Sequence, residues 1–174
     1  MSPTTKEQPS VVFIGPMAAG KTKLGKRVAQ ILNLEFVDTD KMIVADHGDI
    51  PTIFAEHGED EFRRRERIAV AKALRHTGVV SLGGGAVLDE ETQVELAHMP
   101  VVYLHVSPEA VAQRLTSPTR PLITDGVSGW VKIFEQRRHI YEELADIDFD
   151  TSHANLGDVA ETVAAWVRTR EVSH

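Results

Sequence analysis

The sequence predicts an α/β fold in which one parallel β-sheet is covered by helices on both faces. Two observations predict it. Short apolar runs alternate with segments of helical periodicity along most of the chain, which is the order that βαβ units require. The apolar runs are also nearly continuous, as in strands buried on both faces. The 174 residues are enough for one domain with a full core, so a three-layer α/β/α arrangement is expected.

The elements are predicted in order from their periodicity and their breaking residues. Residues 1–10 are polar and are expected to form a flexible tail, whereas residues 11–174 are expected to form a single domain. The predicted strands are residues 11–15, 35–40, 79–82, 101–106 and 147–150. The predicted helices end at Asn33 after the first strand and then occupy residues 41–47, 51–76, 89–97, 108–116, 130–144 and 156–170. Residues 116–129 hold two prolines and two glycines and are predicted to be a loop.

The composition argues against several classes of protein. The formal net charge of -7 disfavours a nucleic-acid partner, because the surface as a whole repels a phosphate backbone. Without cysteine the chain has no disulfide framework and no zinc–thiolate site. No apolar run approaches the roughly 20 residues that cross a membrane, and residues 1–10 lack the apolar stretch of a signal peptide. We therefore expect a cytoplasmic protein with no membrane partner.

The stretch GPMAAGKT at residues 15–22 matches the pattern G-x-x-x-x-G-K-[S/T] between a predicted strand and a predicted helix. In such a phosphate loop, backbone N–H groups and the helix N-terminus bind phosphate oxygens. Lys21 reaches the β- and γ-phosphates, and the Thr22 hydroxyl ligates magnesium. The alternative is an ordinary glycine turn before a helix. The pattern favours a nucleoside triphosphate, with contacts from Gly15, Ala18, Ala19, Gly20, Lys21, Thr22 and Lys23.

Two classes of function are open to a protein with this loop. A GTPase switch would carry an Asn-Lys-x-Asp motif, which the sequence lacks. A phosphotransferase needs a carboxylate that orients the acceptor, and DTD at residues 38–40 ends the second predicted strand. Since side chains alternate along a strand, Asp38 and Asp40 are expected on one side, one to hold magnesium through water and the other to accept a proton. The alternative for Asp40 is the N-cap of the next helix.

Two arginines are predicted to face inward. At about 100° per residue, Arg63 and Glu66 fall on the apolar face of the helix predicted at residues 51–76. Arg137 falls within an apolar stripe of the helix predicted at residues 130–144. Buried arginine is costly unless it is paired with an anion, so two such arginines from separate helices indicate a shared anionic ligand. An internal salt bridge between Arg63 and Glu66 is the alternative.

Three successive glycines, Gly83, Gly84 and Gly85, follow the strand predicted at residues 79–82. A turn needs one or two glycines, and glycine loses more backbone freedom on folding than any other residue. Three in a row therefore indicate that something approaches this backbone too closely for a Cβ atom.

Together these motifs resemble those of the shikimate kinase family. The phosphate loop, DTD at residues 38–40, FR at 62–63, GGG at 83–85, RPL at 120–122 and the arginine at 137 ahead of IYEELAD occur in that family's order and approximate spacing. The resemblance extends from about residue 11 to residue 168. Many enzymes share the phosphate loop, but the other motifs together are specific to the family.

The resemblance implies a P-loop kinase of the nucleoside-monophosphate-kinase type, with a five-stranded parallel sheet of order 2-3-1-4-5 and a lid at about residues 116–129. The implied reaction is ATP-dependent, Mg²⁺-dependent phosphorylation of the shikimate 3-hydroxyl. By the same resemblance, Asp40 contacts the acceptor hydroxyls and is the base, and Asp38 holds magnesium through water. The remaining implied contacts are Arg63 and Arg137 with the substrate carboxylate, Gly83, Gly84 and Gly85 with the substrate ring, Lys21 and Arg120 with the phosphates, and Arg114 and Asn155 with the adenine.

Two alternatives stand beside this assignment. One is a related small-molecule kinase, such as a gluconate kinase, on the same scaffold. The other is a nucleotide-binding regulator that no longer transfers phosphate, against which the presence of Lys21, Asp40 and Arg120 argues. His139 and Leu156 stand where the family has proline, and the lid is short; these departures bear on lid kinetics and nucleotide affinity. The expected partners are shikimate and ATP, and the protein is expected to be a monomer.

Overall fold

The computed structural model describes residues 7–115 and 126–172. The strands are β1 (Val11–Ile14), β2 (Phe36–Asp38), β3 (Val79–Ser81), β4 (Val101–His105) and β5 (Ile147–Asp150). The helices are α1 (Lys21–Leu32), α2 (Thr39–His47), α3 (Ile50–Ala73), α4 (Glu90–Leu96), α5 (Pro108–Arg114), α6 (Gly126–Leu144) and α7 (Leu156–Val172). A short 3₁₀ helix covers Ala86–Leu88.

The five strands form one parallel sheet in the order β2-β3-β1-β4-β5. This confirms the predicted order 2-3-1-4-5. The central strand β1 pairs with β3 on one side and with β4 on the other, and its four residues are at most 1% exposed. Because all strands run the same way, their carboxyl ends share one edge of the sheet, where ligands bind in folds of this kind.

Helices cover both faces of the sheet, which confirms the three-layer arrangement. Val11 and Phe13 belong to an apolar cluster on one face that includes residues of α1 and α7. Val12 and Ile14 belong to the cluster on the other face, with residues of α3, α4 and α6. A smaller cluster, which contains Ile43 of α2 and residues of α3, lies apart from the sheet. The continuous apolar run of β1 is therefore explained by burial on both faces.

The strand predicted at residues 35–40 is too long. β2 ends at Asp38, and Thr39 already begins α2, because the Asp38 carboxylate accepts hydrogen bonds from the N–H groups of Asp40 (2.9 Å) and Lys41 (3.3 Å). Asp38 is therefore the N-cap, and Asp40 lies in the first turn of the helix. The prediction that both aspartates alternate along one strand is wrong, and so is the alternative that Asp40 is the cap.

The predicted tail and lid fall largely outside the described residues. Residues 1–6 and 116–125, including Arg120, lie there. Ser10, at the end of the predicted tail, is attached to the domain, since its N–H donates to the Gly78 carbonyl at 2.9 Å. Residues 126–129 were predicted as loop but form the first turn of α6. None of the helices in the described residues is long and apolar enough to cross a bilayer.

Candidate active site

A cavity of about 1330 Å³ opens where β1, β2 and β3 end. Its walls come from the phosphate loop, the start of α2, the parts of α3 before and after Gly58, the glycine run after β3, and α6. The structure thus brings together residues that are far apart in the sequence. Of the predicted site residues, those that line the cavity are Ala18, Ala19, Gly20, Lys21, Thr22, Lys23, Asp38, Asp40, Arg63, Gly84, Gly85, Arg114 and Arg137.

Lys21 begins α1 and reaches back over the phosphate loop. Its Nζ donates to the carbonyls of Gly15 (2.7 Å) and Pro16 (3.0 Å). The ammonium charge therefore lies beside the N-terminus of α1, where the helix dipole and the first backbone N–H groups also favour an anion. This arrangement can bind a polyphosphate.

Thr22 and Asp38 place two oxygen atoms side by side next to the phosphate loop. Asp38 Oδ1 caps α2, and Asp38 Oδ2 accepts a hydrogen bond from Thr22 Oγ1 at 2.8 Å. Hydroxyl and carboxylate oxygens suit Mg²⁺, which takes one or two protein ligands and completes its octahedron with water and substrate phosphates. Within the described residues, no group of three or more His, Cys, Asp or Glu side chains could hold a metal by itself.

Asp40 faces the cavity from the first turn of α2. Burial raises the pKa of Asp40, and the nearby Asp38 carboxylate raises it further, while Lys21 and Arg63 oppose part of the shift. A carboxylate with a raised pKa is a stronger base. The site therefore favours proton uptake by Asp40 from a hydroxyl group held in the cavity.

Arg63 is paired with a buried carboxylate on its own helix. Its Nη1 donates to Glu66 Oε1 at 2.7 Å, and Glu66 is only 4% exposed. Burial raises the pKa of Glu66, and Arg63 opposes this shift. Arg63 Nε is buried without a hydrogen-bond partner within the described residues. The alternative of an internal salt bridge is thus realised, yet the same guanidinium also lines the cavity.

Arg137 reaches the cavity from α6, where Tyr141 anchors the helix. The Tyr141 hydroxyl donates to the Gly84 carbonyl at 2.6 Å, and burial raises the pKa of Tyr141 to about 12. Tyr141 also stacks on Tyr103 of β4, with ring centroids 5.3 Å apart. α6 is therefore fixed against the glycine run, and Arg63 and Arg137 border the same part of the cavity from two helices.

The protein's own side chains explain two of the three glycines. A Cβ atom at Gly83 would lie 2.5 Å from Asp40 Oδ1, and one at Gly85 would lie 2.4 Å from Arg63 Nη1. At Gly84 the nearest atoms are 3.5 Å away, an ordinary contact distance. The absent Cβ atoms at Gly83 and Gly85 therefore make room for the two site residues, and not only for a ligand.

The two residues predicted to contact the adenine, Arg114 and Asn155, differ in whether they line the cavity. Arg114 lines the cavity, and its guanidinium donates to the carbonyls of Ala18 (2.5 Å) and Thr151 (2.6 Å). Asn155 is exposed, and its side chain accepts a hydrogen bond from the Asp158 N–H at 3.1 Å at the start of α7. Asn155 is not among the described residues that line the cavity.

Two polar contacts with the phosphate loop are not predicted by the sequence. Trp130 Nε1 donates to the Met17 carbonyl at 2.8 Å, and Thr151 Oγ1 donates to the Ala19 carbonyl at 2.7 Å. Trp130 falls on the apolar stripe of the helix predicted at residues 130–144, and that position predicts packing alone. Chemistry alone predicts that a buried indole N–H or hydroxyl needs a hydrogen-bond acceptor. The sequence does not identify which acceptor it is.

Known proteins resemble this chain in both sequence and structure. The sequence model described as shikimate kinase matches residues 17–168. A shikimate kinase from Corynebacterium jeikeium is 45% identical over 142 residues, which are 79% of this chain and 77% of that protein. One from Stenotrophomonas maltophilia is 41% identical over 168 residues, 93% of each protein.

A solved structure, that of shikimate kinase from Acinetobacter baumannii in complex with shikimate, aligns with a TM-score of 0.86 at 30% identity and covers 94% of both chains. The family match covers residues 17–168, and the structural match covers 94% of the chain. The prediction made from the motifs is confirmed: the chain belongs to the shikimate kinase family.

Proposed function

We propose that this protein transfers the γ-phosphoryl group of ATP to the 3-hydroxyl of shikimate, giving shikimate 3-phosphate and ADP. The observation that carries the proposal is a single cavity lined by a phosphate loop, a carboxylate with a raised pKa and two arginines from different helices. Shikimate is an anion with several hydroxyl groups, so it matches the part of the cavity that contains Asp40 and the two arginines. Membership of the family makes a gluconate kinase or a regulator without catalysis the weaker alternative.

The chemistry follows from the positions of three groups. The acceptor oxygen attacks the γ-phosphorus, its proton passes to an Asp40 carboxylate oxygen, and the bond to the β–γ bridging oxygen breaks to release ADP. Lys21 and the N-terminus of α1 offset the negative charge on the phosphates. Arg120 is proposed to act on the same phosphates.

The substrate carboxylate is proposed to bind between Arg63 and Arg137. Glu66 accepts a hydrogen bond from Nη1 of Arg63, which fixes the orientation of the guanidinium and leaves Nη2 for the ligand. The glycine run, with Gly84 beside Arg137 and Gly85 beside Arg63, would lie under the substrate ring.

Magnesium is proposed to bind beside the phosphate loop, held by Thr22 directly and by Asp38 through water. When bound, the ion would neutralise charge on the β- and γ-phosphates. The nucleotide is further proposed to contact the loop residues Gly15, Ala18, Ala19, Gly20 and Lys23, with Arg114 and the Asn155 turn beside the adenine.

The protein is proposed to act as a monomer in the cytoplasm, on small molecules alone. The support for a monomer is that the phosphate loop, Asp40 and both arginines all come from one chain. The net charge of -7 disfavours nucleic acid as a partner.

The proposed function is tested by measuring magnesium-dependent ADP release with different acceptors. Shikimate is expected to give the highest kcat/KM in a panel that also contains gluconate and nucleoside monophosphates. Arg137→Ala should lower kcat/KM for shikimate by about 10- to 200-fold, because one charge-assisted hydrogen bond to the carboxylate is lost. A better rate with gluconate or a nucleotide acceptor would refute the proposal.

The same assay separates binding from folding at Arg63. Arg63→Ala should lower kcat/KM by a similar factor, but it also leaves Glu66 as a buried carboxylate without a partner and should destabilise the protein. The double change Arg63→Ala with Glu66→Gln should restore stability and not activity. Arg64→Ala is the matched control, because Arg64 is 62% exposed and pairs with Glu61 on the same helix. Recovery of activity in the double variant would contradict the carboxylate clamp.

A further inference from the structure

The carbonyl groups of the phosphate loop accept hydrogen bonds from side chains in an unbroken series. Five successive carbonyls, at residues 15 to 19, are involved. Lys21 donates to the first two. The next three accept hydrogen bonds from Trp130 on α6, Arg114 at the end of α5 and Thr151 after β5. The loop is therefore held from outside by three separate elements.

Ala18 is the strained residue of this loop. It has a φ of 72°, in the left-handed region, where a residue with a Cβ atom costs about 1–2 kcal/mol more than glycine. Such a conformation persists only when the surroundings determine it. Ala18 is also 7% exposed, so the solvent does not compete strongly for its peptide groups.

Trp130 and Arg114 hold the two peptide planes that flank Ala18. The indole N–H of Trp130 binds the Met17 carbonyl, in the plane before Ala18, and Arg114 binds the Ala18 carbonyl, in the plane after it. The φ and ψ angles of a residue are set by the orientation of these two planes. In a trans peptide the N–H points opposite to the carbonyl, so a fixed Met17 carbonyl also fixes the direction of the Ala18 N–H.

The hydrogen bond of Trp130 is distinct from its packing. The residue is 2% exposed, and its ring stacks on Phe134 with centroids 5.1 Å apart. A phenylalanine could supply the same stacking. The Nε1–H group adds a hydrogen bond to the phosphate loop, at 2.8 Å. A ring that served the core alone would not need this donor.

We propose that Trp130 is a positioning residue for the nucleotide: its indole N–H, together with Arg114, holds Ala18 in the left-handed conformation and so keeps the phosphate loop in the shape that accepts a polyphosphate. The inference rests on the proposed function only in that the loop binds a nucleotide. It makes no use of the acceptor. Failure of shikimate turnover in the wild type would thus count against the proposed function and leave this inference intact.

The test is calorimetric binding of ADP to Trp130→Phe, which keeps an aromatic ring and removes the N–H. The dissociation constant is expected to rise about 3- to 10-fold, the usual effect of one lost hydrogen bond. The KM for shikimate should change by less than twofold. Trp166→Phe is the matched control; Trp166 lies on α7, under the Arg170 guanidinium, and its replacement should leave ADP binding unchanged.

Two further measurements keep the test decisive. If Trp130→Phe fails to fold, the isosteric benzothienyl analogue of tryptophan is used at position 130 instead. It is introduced in the Trp166→Phe protein, and it removes only the N–H group. In a protein with Ala18→Gly the strain is absent, so loss of the N–H should weaken ADP binding less than it does beside Ala18. Unchanged ADP affinity without the N–H would overturn the proposal, and so would an equal loss in both backgrounds.

Discussion

At the scale of single residues, Asp40 is the proposed proton acceptor and also a carboxylate in an unfavourable electrostatic environment. It is buried beside another carboxylate, and burial together with Asp38 raises the pKa of Asp40. Gly83 provides the space for its carboxylate. Groups placed in this way commonly serve function at the expense of stability.

Asp40→Asn should therefore lower activity and raise stability. kcat should fall by roughly 100-fold or more because the base is lost, while ADP binding is kept. At pH 7 the unfolded chain ionises freely at Asp40, whereas the raised pKa makes ionisation unfavourable in the folded state, so the variant should have the larger free energy of unfolding. The difference should vanish as the pH falls below the unfolded pKa of about 3.9, where Asp40 is neutral in both states.

Urea unfolding at pH 7 and pH 3.5, with kcat measured at pH 7, checks this prediction. Asp46→Asn is the control, because Asp46 is an exposed residue of the same helix and should change neither quantity appreciably. Near-normal turnover in Asp40→Asn, or a loss of stability at pH 7, would contradict it.

At the scale of elements, the kink in α3 shapes the cavity. Gly58 has φ 83° and ψ 171°, so the helical hydrogen-bond pattern breaks there. The half before the kink contributes Ile50, Pro51 and Phe54 to the cavity wall, and the half after it carries Arg63. One continuous straight helix could not place both halves on the same cavity in this way.

Gly58→Ala should destabilise the protein by about 1–3 kcal/mol, although Gly58 is exposed and no atom lies within 4 Å of an added Cβ. The reason is conformational, since only glycine adopts these angles without strain. KM for shikimate should rise, and ADP affinity should stay unchanged. Denaturant unfolding and steady-state kinetics test this, with the exposed Glu56→Ala on the same helix as control. Wild-type stability in Gly58→Ala would show that α3 can straighten without cost.

At the scale of the whole molecule, one cavity joins two binding regions that are built from different residues, with α6 common to both. The phosphate loop follows β1 and is held by α5, α6 and the turn after β5. The arginine region is built on α3 and α6. Ligands of the two regions should therefore stabilise the folded protein separately.

ADP and shikimate, each at 100 times its dissociation constant, should each stabilise the protein by about 2.7 kcal/mol. For a domain of this size, that raises Tm by about 5–10 °C. Lys21→Ala should remove most of the shift with ADP and keep the shift with shikimate, and Arg137→Ala should do the reverse. Differential scanning calorimetry measures both shifts. Loss of both shifts in either variant would mean that the two regions are not independent.

The fold class, the sheet order (through family resemblance) and 13 of the residues that line the cavity could be predicted from the sequence alone. These features depend on local patterns: a buried strand, a phosphate loop, a helical face or a short motif is written in neighbouring residues. Arg63 and Arg137 were identified in this way, from the faces of two helices, and both line the cavity.

The contacts that hold these residues in place depend on how distant parts of the chain pack together, so they are visible in the fold and not in the sequence. The tertiary structure ended β2 at Asp38, paired Arg63 with Glu66, and filled the space at Gly83 and Gly85 with Asp40 and Arg63. It also brought Trp130, Arg114 and Thr151 to carbonyls that lie 113, 96 and 132 residues away in the sequence. A buried donor requires an acceptor, but its sequence position does not specify which one, because that choice is made by the packing of helices and strands around the loop.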